Sequence, residues 1–215
     1  VKIDGELIDT STANKTSYTF SNVTGNHTIE VTYAIDTFTI TPTVHNGTIT
    51  PDTVQTVDYG SGRTFTYSAN TGYHLVSVKI DGELIDTSTA NKTSYTFSNV
   101  TGNHTIEVTF RIDKFKIKPT VKNGTITPDT TQTVKYGDDM AFTYAPNEGY
   151  HLVSVTVDDV DMTLTNPDGY TFEDVKADHK IVVVYRINKY VVTFKPGNHA
   201  APGTANEKFK NIPHG

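Results

Sequence analysis

The chain has 215 residues, a length that suits one or two ordinary domains, and it contains 38 threonines but no cysteine and no tryptophan. The lack of cysteine excludes a disulfide scaffold, a thiolate metal site and a cysteine nucleophile. The formal net charge is -6 without a run of basic residues, which argues against nucleic acid or anionic lipid as a partner. Threonine, valine, isoleucine and tyrosine favour strands over helices, so the composition predicts an all-β protein.

The sequence repeats itself, first at an offset of 77 residues and then at an offset of 75. Residues 1–32 are identical to residues 78–109 at every position, and 30 of the 44 residues in 34–77 recur in 111–154. These matches predict two complete units and two partial ones. The predicted segments are the carboxyl-terminal half of a unit (1–35, the back half-unit), the first unit (36–112), the second unit (113–187) and the amino-terminal part of a divergent unit (188–215).

Apolar and polar residues alternate within each unit, which is typical of half-buried strands. In the first predicted strand Phe38, Ile40 and Val44 share one face, and the threonines between them share the other. Pro42 falls on the inward face and predicts a sheet edge or a bulge there. Further strands are predicted at 65–69, 76–80, 95–97 and 106–112, with no helical period between them. The pattern predicts small antiparallel β-sandwiches arranged end to end.

Short turn motifs separate the predicted strands. Asn46-Gly47 and its copy Asn123-Gly124 have the residues of a type I′ hairpin turn, and so does Asp81-Gly82. In the second unit Asp158-Asp159 replaces Asp-Gly, which requires either a non-glycine residue at positive φ or another turn type.

The junctions between units contain no spacer rich in glycine, proline or serine. Instead the last strand of each unit passes directly into the first strand of the next, and isoleucine recurs there as Ile35, Ile112 and Ile187. A linker of this kind predicts a stiff rod in which the isoleucine packs between consecutive units.

The ordered motifs of a unit resemble those of a known family. They are the segments Phe38 to Pro42, Asn46 to Pro51, Val57 to Gly60, Phe65 to Tyr67, Gly72 to Val78, Asp81-Gly82 and Tyr95 to Phe110. In this order they resemble the divergent InlB B-repeat of bacterial and archaeal surface proteins. The tail is similar, more weakly, to a Listeria-Bacteroides-type repeat. The resemblance implies an extracellular module of envelope-anchored or secreted proteins that acts as a stalk or adhesive segment and has no catalytic residues.

Histidines and aspartates offer candidate chemistry. His74 and His151 follow a Gly-Tyr pair, whereas His27, His104 and His179 precede the last strand of a unit. We find no acidic residue that recurs with them at a metal-ligand spacing, so they are interpreted as turn or strand-end residues. The aspartates at 158, 159 and 161 are interpreted as a solvated turn, since a calcium loop needs more oxygen ligands. No metal and no cofactor is expected.

The chain also carries sequons for N-glycosylation. These candidate sites are Asn14, Asn22, Asn26, Asn46, Asn91, Asn99, Asn103 and Asn123. They represent four positions copied twice in a threonine-rich chain, so chance alone supplies several of them.

The sequence predicts a non-catalytic structural segment. The residues from Tyr59 to Arg63 lack the strand-to-helix context of a nucleophile elbow, and no glycine-rich phosphate loop precedes a helix. We expect a stalk or fibre outside the cell whose partners are neighbouring repeats or copies of itself, joined head to tail where half-units meet. No membrane insertion is expected, because no stretch of 18 apolar residues occurs. The alternatives are a multivalent adhesion module for glycan or a surface protein, and accessory repeats of an extracellular hydrolase.

Overall fold

The computed structural model describes residues 1–8, 17–85, 93–163, 165–195 and 207–214, and these form strands, turns and bends. The described ranges contain no helix, and accordingly none that could span a bilayer. The all-β fold predicted from composition and alternation is confirmed.

The back half-unit forms a small antiparallel sheet. Its strands are β1 (Lys2–Ile3), β2 (Glu6–Leu7) and β3 (Ile29–Glu30). They pair in the order β2-β1-β3. Residues 1–32 are identical in sequence to residues 78–109. The strands β1 to β3 nevertheless have only two residues each, whereas a nine-residue strand starts at His104 in the copy.

The first unit has two sheets that face each other across one core. Its described strands are β4 (Thr37–His45), β5 (Gly47–Thr50), β6 (Gln55–Asp58), β7 (Arg63–Ala69), β8 (Tyr73–Ile80), β9 (Glu83–Leu84), β10 (Ser94–Phe97) and β11 (His104–Ile112). The larger sheet has the order β6-β4-β11-β8-β9, and the smaller one has the order β10-β7-β5.

The second unit repeats this arrangement. Its described strands are β12 (Lys114–Lys122), β13 (Gly124–Thr127), β14 (Gln132–Lys135), β15 (Met140–Pro146), β16 (Tyr150–Val157), β17 (Val160–Asp161), β18 (Gly169–Phe172) and β19 (His179–Ile187). The sheets have the orders β14-β12-β19-β16-β17 and β13-β15-β18. After it, β20 (Lys189–Phe194) pairs with β21 (Glu207–Pro213). The pairing starts as that of β4 with β6 does, with Lys189 opposite Pro213 as Thr37 is opposite Asp58, but its register shifts between Tyr190 and Val192.

One strand pair in each unit is parallel, which the predicted antiparallel sandwich did not include. β11 runs parallel to β4 from His104, opposite Ile40, to Thr109, opposite His45, and β19 runs parallel to β12 in the same way. A parallel pair needs a long crossover connection, and the rest of the unit supplies it. The first and last strands of a unit are therefore neighbours in the centre of its larger sheet.

The core of the first unit lies between its two sheets. Its fully buried side chains include Ile40, Phe65, Val78, Ile106 and Val108. Phe65 and Phe97 meet edge to face with ring centroids 6.0 Å apart, a favoured geometry for aromatic pairs. The second unit repeats the contact with Phe142 and Phe172, also at 6.0 Å. Inward apolar residues and outward polar ones alternate along β4, as predicted.

Pro42 lies opposite Ile106 of β11. On its other side β4 is paired with β6 only from Thr37 to Ile40, so Pro42 lies beyond that pairing. A proline has no N–H to donate, and this free edge requires none.

The hairpin turn predicted at Asn46-Gly47 is wrong. Asn46 has a φ of 60°, but Gly47 does not have positive φ, and β5 pairs with β7 instead of β4. The chain thus crosses from one sheet to the other at this point. The glycine serves close packing, because a Cβ on Gly47 would lie 2.5 Å from ring atoms of Phe110. The same correction holds for Asn123-Gly124, where a Cβ would lie 2.5 Å from the Tyr185 ring.

Asp81 and Gly82 connect β8 to β9 as a two-residue turn. Both have positive φ, at 52° and 84°, and Ile80 lies opposite Glu83. In the second unit Asp158 and Asp159 adopt positive φ as well, at 49° and 70°. The replacement of glycine by aspartate therefore keeps the turn and places a non-glycine residue in the left-handed region.

Candidate functional site at the inter-unit junction

A single residue, Asp113, separates β11 of the first unit from β12 of the second. Its backbone is bonded to both units. The Asp113 amide donates to the carbonyl of Gly72 in the first unit at 2.8 Å, and the Tyr136 amide of the second unit donates to the Asp113 carbonyl at 2.9 Å. The linker is thus fixed on both sides by main-chain hydrogen bonds.

An aromatic ring of the second unit lies against a glycine of the first. Gly72 has a φ of +76°, and a Cβ at this position would overlap the Tyr136 ring, lying 2.9 Å from its Cδ2 atom. Within the second unit Phe115 supports the same ring at a centroid distance of 6.4 Å. Only glycine permits both this backbone conformation and this close approach.

A side-chain pair also bridges the junction. His74 Nδ1 of the first unit lies 2.6 Å from Asp113 Oδ1. Both side chains are partly exposed, so this pair contributes little to stability.

The next junction repeats this geometry with two substitutions. The Asn188 amide donates to the Gly149 carbonyl at 2.7 Å, and the His214 amide donates to the Asn188 carbonyl at 3.1 Å. His151 Nδ1 lies 2.7 Å from Asn188 Oδ1. The ring of His214 lies over Gly149, where a Cβ would be 2.6 Å from the imidazole Cγ. Asparagine therefore replaces aspartate and histidine replaces tyrosine without loss of the arrangement.

The packing of the junction isoleucines between consecutive units stays a prediction. Ile112 and Ile187 are half-buried at the ends of β11 and β19, and neither belongs to a core cluster of the described residues. Ile35 is exposed. The structure adds a contact between units that the strand pattern did not predict, the Tyr136 ring on Gly72, which joins residues 64 positions apart.

Within each unit a histidine is bonded to an aspartate of the turn. His104 Nδ1 lies 2.7 Å from Asp81 Oδ2, and the Thr105 amide donates to Asp81 Oδ1 at 2.7 Å. Burial raises the pKa of Asp81, but the bonds from His104 and Thr105 outweigh it and hold the pKa below its usual range. The His104 ring also packs on the Phe97 ring, with the ring centroids 5.1 Å apart.

The other copies preserve this pair. His27 Nδ1 lies 2.7 Å from Asp4, and His179 Nδ1 lies 2.6 Å from Asp158. The bond from His27 is the largest cause of the lowered pKa of Asp4. An acidic partner of these histidines thus does recur, contrary to the sequence analysis, and the repeat itself contained the signal. In each copy the histidine–aspartate hydrogen bond holds the turn that contains the aspartate against the start of the strand that follows the histidine.

These groups do not converge into a metal site in the described part of the chain. There the structure contains no group of three or more histidine, aspartate or glutamate side chains able to hold an ion. His74 lies opposite Arg111, seven residues from His104 along β11, a separation of about 23 Å. Asp159 lies 2.7 Å from the Lys180 ammonium, and Asp161 accepts from the Thr163 amide at 2.9 Å.

The sequon asparagines occupy several environments. Asn46 Nδ2 donates to the Phe110 carbonyl at 3.0 Å, and Asn123 Nδ2 donates to the Tyr185 carbonyl at 2.9 Å. Asn103 Oδ1 accepts from the Thr39 amide at 2.8 Å. Asn22, Asn26 and Asn99 are exposed, whereas Asn14 and Asn91 lie outside the described residues.

The comparison with protein families agrees with the repeat. The model of the divergent InlB B-repeat domain matches residues 37–114 and 117–177, which together make up more than half of the chain. The chain belongs to the divergent InlB B-repeat family. No curated protein matches it. The first match spans all the described strands of the first two-sheet unit, and the second match spans the second unit from within β12 up to the residues before β19.

Proposed function

We propose that these B-repeats form a non-catalytic stalk segment of an extracellular, surface-anchored or secreted protein. The observation that supports this most is the junction, where one residue links two units and main-chain hydrogen bonds fix it to both. Adhesion and accessory roles do not require such a linker, because a flexible connection also brings binding modules to their ligands. A stalk requires it, since its length is useful only when consecutive units keep their orientation.

The sheet topology supports a mechanical role. Tension enters a unit at the start of β4 and leaves it at the end of β11, and these strands are parallel neighbours. Pulling them apart along their length loads the hydrogen bonds between Ile40–His45 and His104–Thr109 together instead of one at a time. The second unit has the same pair in β12 and β19.

Stiffness can be tested by loosening the junction. Gly72→Ala places a methyl group against the Tyr136 ring, whereas Gly82→Ala introduces a side chain at a similar positive φ into open space. Both variants have the backbone strain of alanine in the left-handed region, so the second is a matched control.

Small-angle scattering should show an extended particle for the parent chain and for Gly82→Ala. Gly72→Ala should broaden the range of particle dimensions, because the ring can no longer seat on the first unit. A compact parent chain, or identical curves for the two variants, would refute the stalk.

A further inference from the structure

The outward face of the larger sheet in the second unit carries a concentration of positive charge. Along β12 the outward positions are all exposed and alternate with core residues such as Ile117. The cations on this surface, called the cationic face below, are Lys114, Lys116, Lys118 and Lys122 of β12, Lys135 of β14, and Lys180 and Arg186 of β19. The outward positions of these three strands hold no carboxylate.

The same surface of the first unit carries much less positive charge. Its outward positions are threonine or histidine on β4, whereas β6 and β11 carry Asp58 and Glu107 beside one cation, Arg111. Both units have the same strand order, so the difference lies in the side chains and not in the fold. Other residues separate the lysines along the sequence and no basic run appears, but the two-residue period of a strand places them side by side.

Most lysines of the cationic face have no neutralising neighbour. Alternate residues of a strand are about 7 Å apart, so the row from Lys114 to Lys122 is about 27 Å long. Lys114 lies directly opposite Lys135, and like charges in this position destabilise a sheet. Ion pairs of lysine with a carboxylate in the described residues involve Lys2, Lys79, Lys176 and Lys180. A bound anion would therefore offset repulsion that the protein itself leaves uncompensated.

The shape and chemistry of the cationic face favour one class of anion. A straight row of lysines is complementary to a linear polyanion. The outward positions of β12, β14 and β19 hold no phenylalanine, tyrosine, leucine or isoleucine, so they lack the side chains that stack on nucleic-acid bases or enter a lipid boundary. Thr120 and Thr133 are exposed on this face, and their hydroxyl groups can both donate to and accept from sugar hydroxyls.

We propose that the cationic face of the second unit binds a linear anionic polysaccharide that runs along β12. Its acidic groups neutralise the lysines, and its hydroxyl groups bond to the threonines between them. Asp158, Asp159 and Asp178 border one edge beside Lys118 and Lys180, and they keep the polymer on the side of β14. The surface lies within one unit, so this binding does not depend on stiffness at the junction, and the stalk can fail independently.

The repeat supplies a matched pair of variants for a binding test on the full chain. Lys114→Thr, Lys116→Thr and Lys118→Thr together give β12 the residues that β4 has at these positions. The control combines Lys2→Thr, Lys79→Thr and Lys176→Thr, which loses the same charge and also installs residues found at equivalent positions of another unit. Circular dichroism checks that both variants are folded.

The probes are oligogalacturonate, dextran sulfate and neutral dextran, with binding measured by calorimetry at several salt concentrations. The parent chain and the control variant should bind the charged glycans and not dextran. The β12 variant should bind them on the order of tenfold more weakly and with a smaller dependence on salt, because fewer counterions are released. Failure of the parent chain to bind either charged glycan would overturn the proposal, and so would equal weakening in the two variants. Tighter binding of single-stranded DNA or of anionic vesicles than of the glycans would overturn the assigned ligand.

Discussion

Substitution of one buried isoleucine and its exposed twin should give very different losses of stability. Ile106→Ala removes three methyl or methylene groups from a fully buried side chain. At roughly 0.8 kcal/mol for each group, the transfer contribution is about 2.4 kcal/mol, and the cavity left behind brings the expected loss to about 2–5 kcal/mol. Ile29→Ala makes the same change at a half-exposed side chain, so we expect less than about 1.2 kcal/mol there.

The pair can be measured by urea unfolding followed by far-ultraviolet circular dichroism, with calorimetry as a second method. For a domain of this size, 2 kcal/mol lowers the melting temperature by about 8 °C or more. The comparison controls for local sequence, because the residues flanking Ile29 and Ile106 are the same. Equal losses in the two variants would show that β4 and the facing sheet do not create the buried environment of Ile106, and would refute the packing argument.

Three further predictions concern single residues. Gly47→Ala should destabilise the first unit by about 1–3 kcal/mol, because the new methyl group meets the Phe110 ring. The control is Gly102→Ala, whose methyl group would lie in open space. Equal unfolding midpoints of the two variants would contradict this prediction. The ionised Asp81 carboxylate stabilises the fold above its usual pKa of 3.8, because its pKa is lowered in the folded state, and this stabilisation is lost as pH falls through the folded pKa. In Asp81→Asn the free energy of unfolding should therefore fall less steeply between pH 5 and pH 2 than in the parent chain. An unchanged slope would count against the His104 contact. Burial, with Tyr185 and Asp168 nearby, raises the pKa of Tyr144 to about 12, so the free energy of unfolding should fall as pH rises from 10 towards 12. An absorbance titration should show one late-ionising tyrosine fewer in Tyr144→Phe than in the parent chain, and an unchanged number would contradict the raised pKa of Tyr144.

Local rules predicted the parts of the fold that depend on neighbouring residues. The alternation along β4 predicted its inward face, and Asp81-Gly82 lies in a two-residue turn because both residues tolerate positive φ. The Asn46-Gly47 motif misled the same reasoning, since a glycine required for close packing against Phe110 looks like one required for positive φ.

The remaining features join residues far apart in the chain. The parallel pairing of β4 with β11 and the seating of Tyr136 on Gly72 each link positions about 64 residues apart. Periodicity identifies a strand and its buried face, but it does not identify the strand's partner. The bond between Asp81 and His104 was within reach, because Asp4, Asp81 and Asp158 recur in step with His27, His104 and His179.

Rigid coupling of consecutive units is the central claim, and the distance between spin labels on two units tests it most directly. The chain has no cysteine to remove, so labels can be attached at Thr43→Cys in the first unit and Lys118→Cys in the second, both on exposed positions. Pulsed electron resonance should give one narrow distance distribution, because Asp113, Gly72 and Tyr136 fix the two units to each other. A broad distribution in the parent chain would contradict the account.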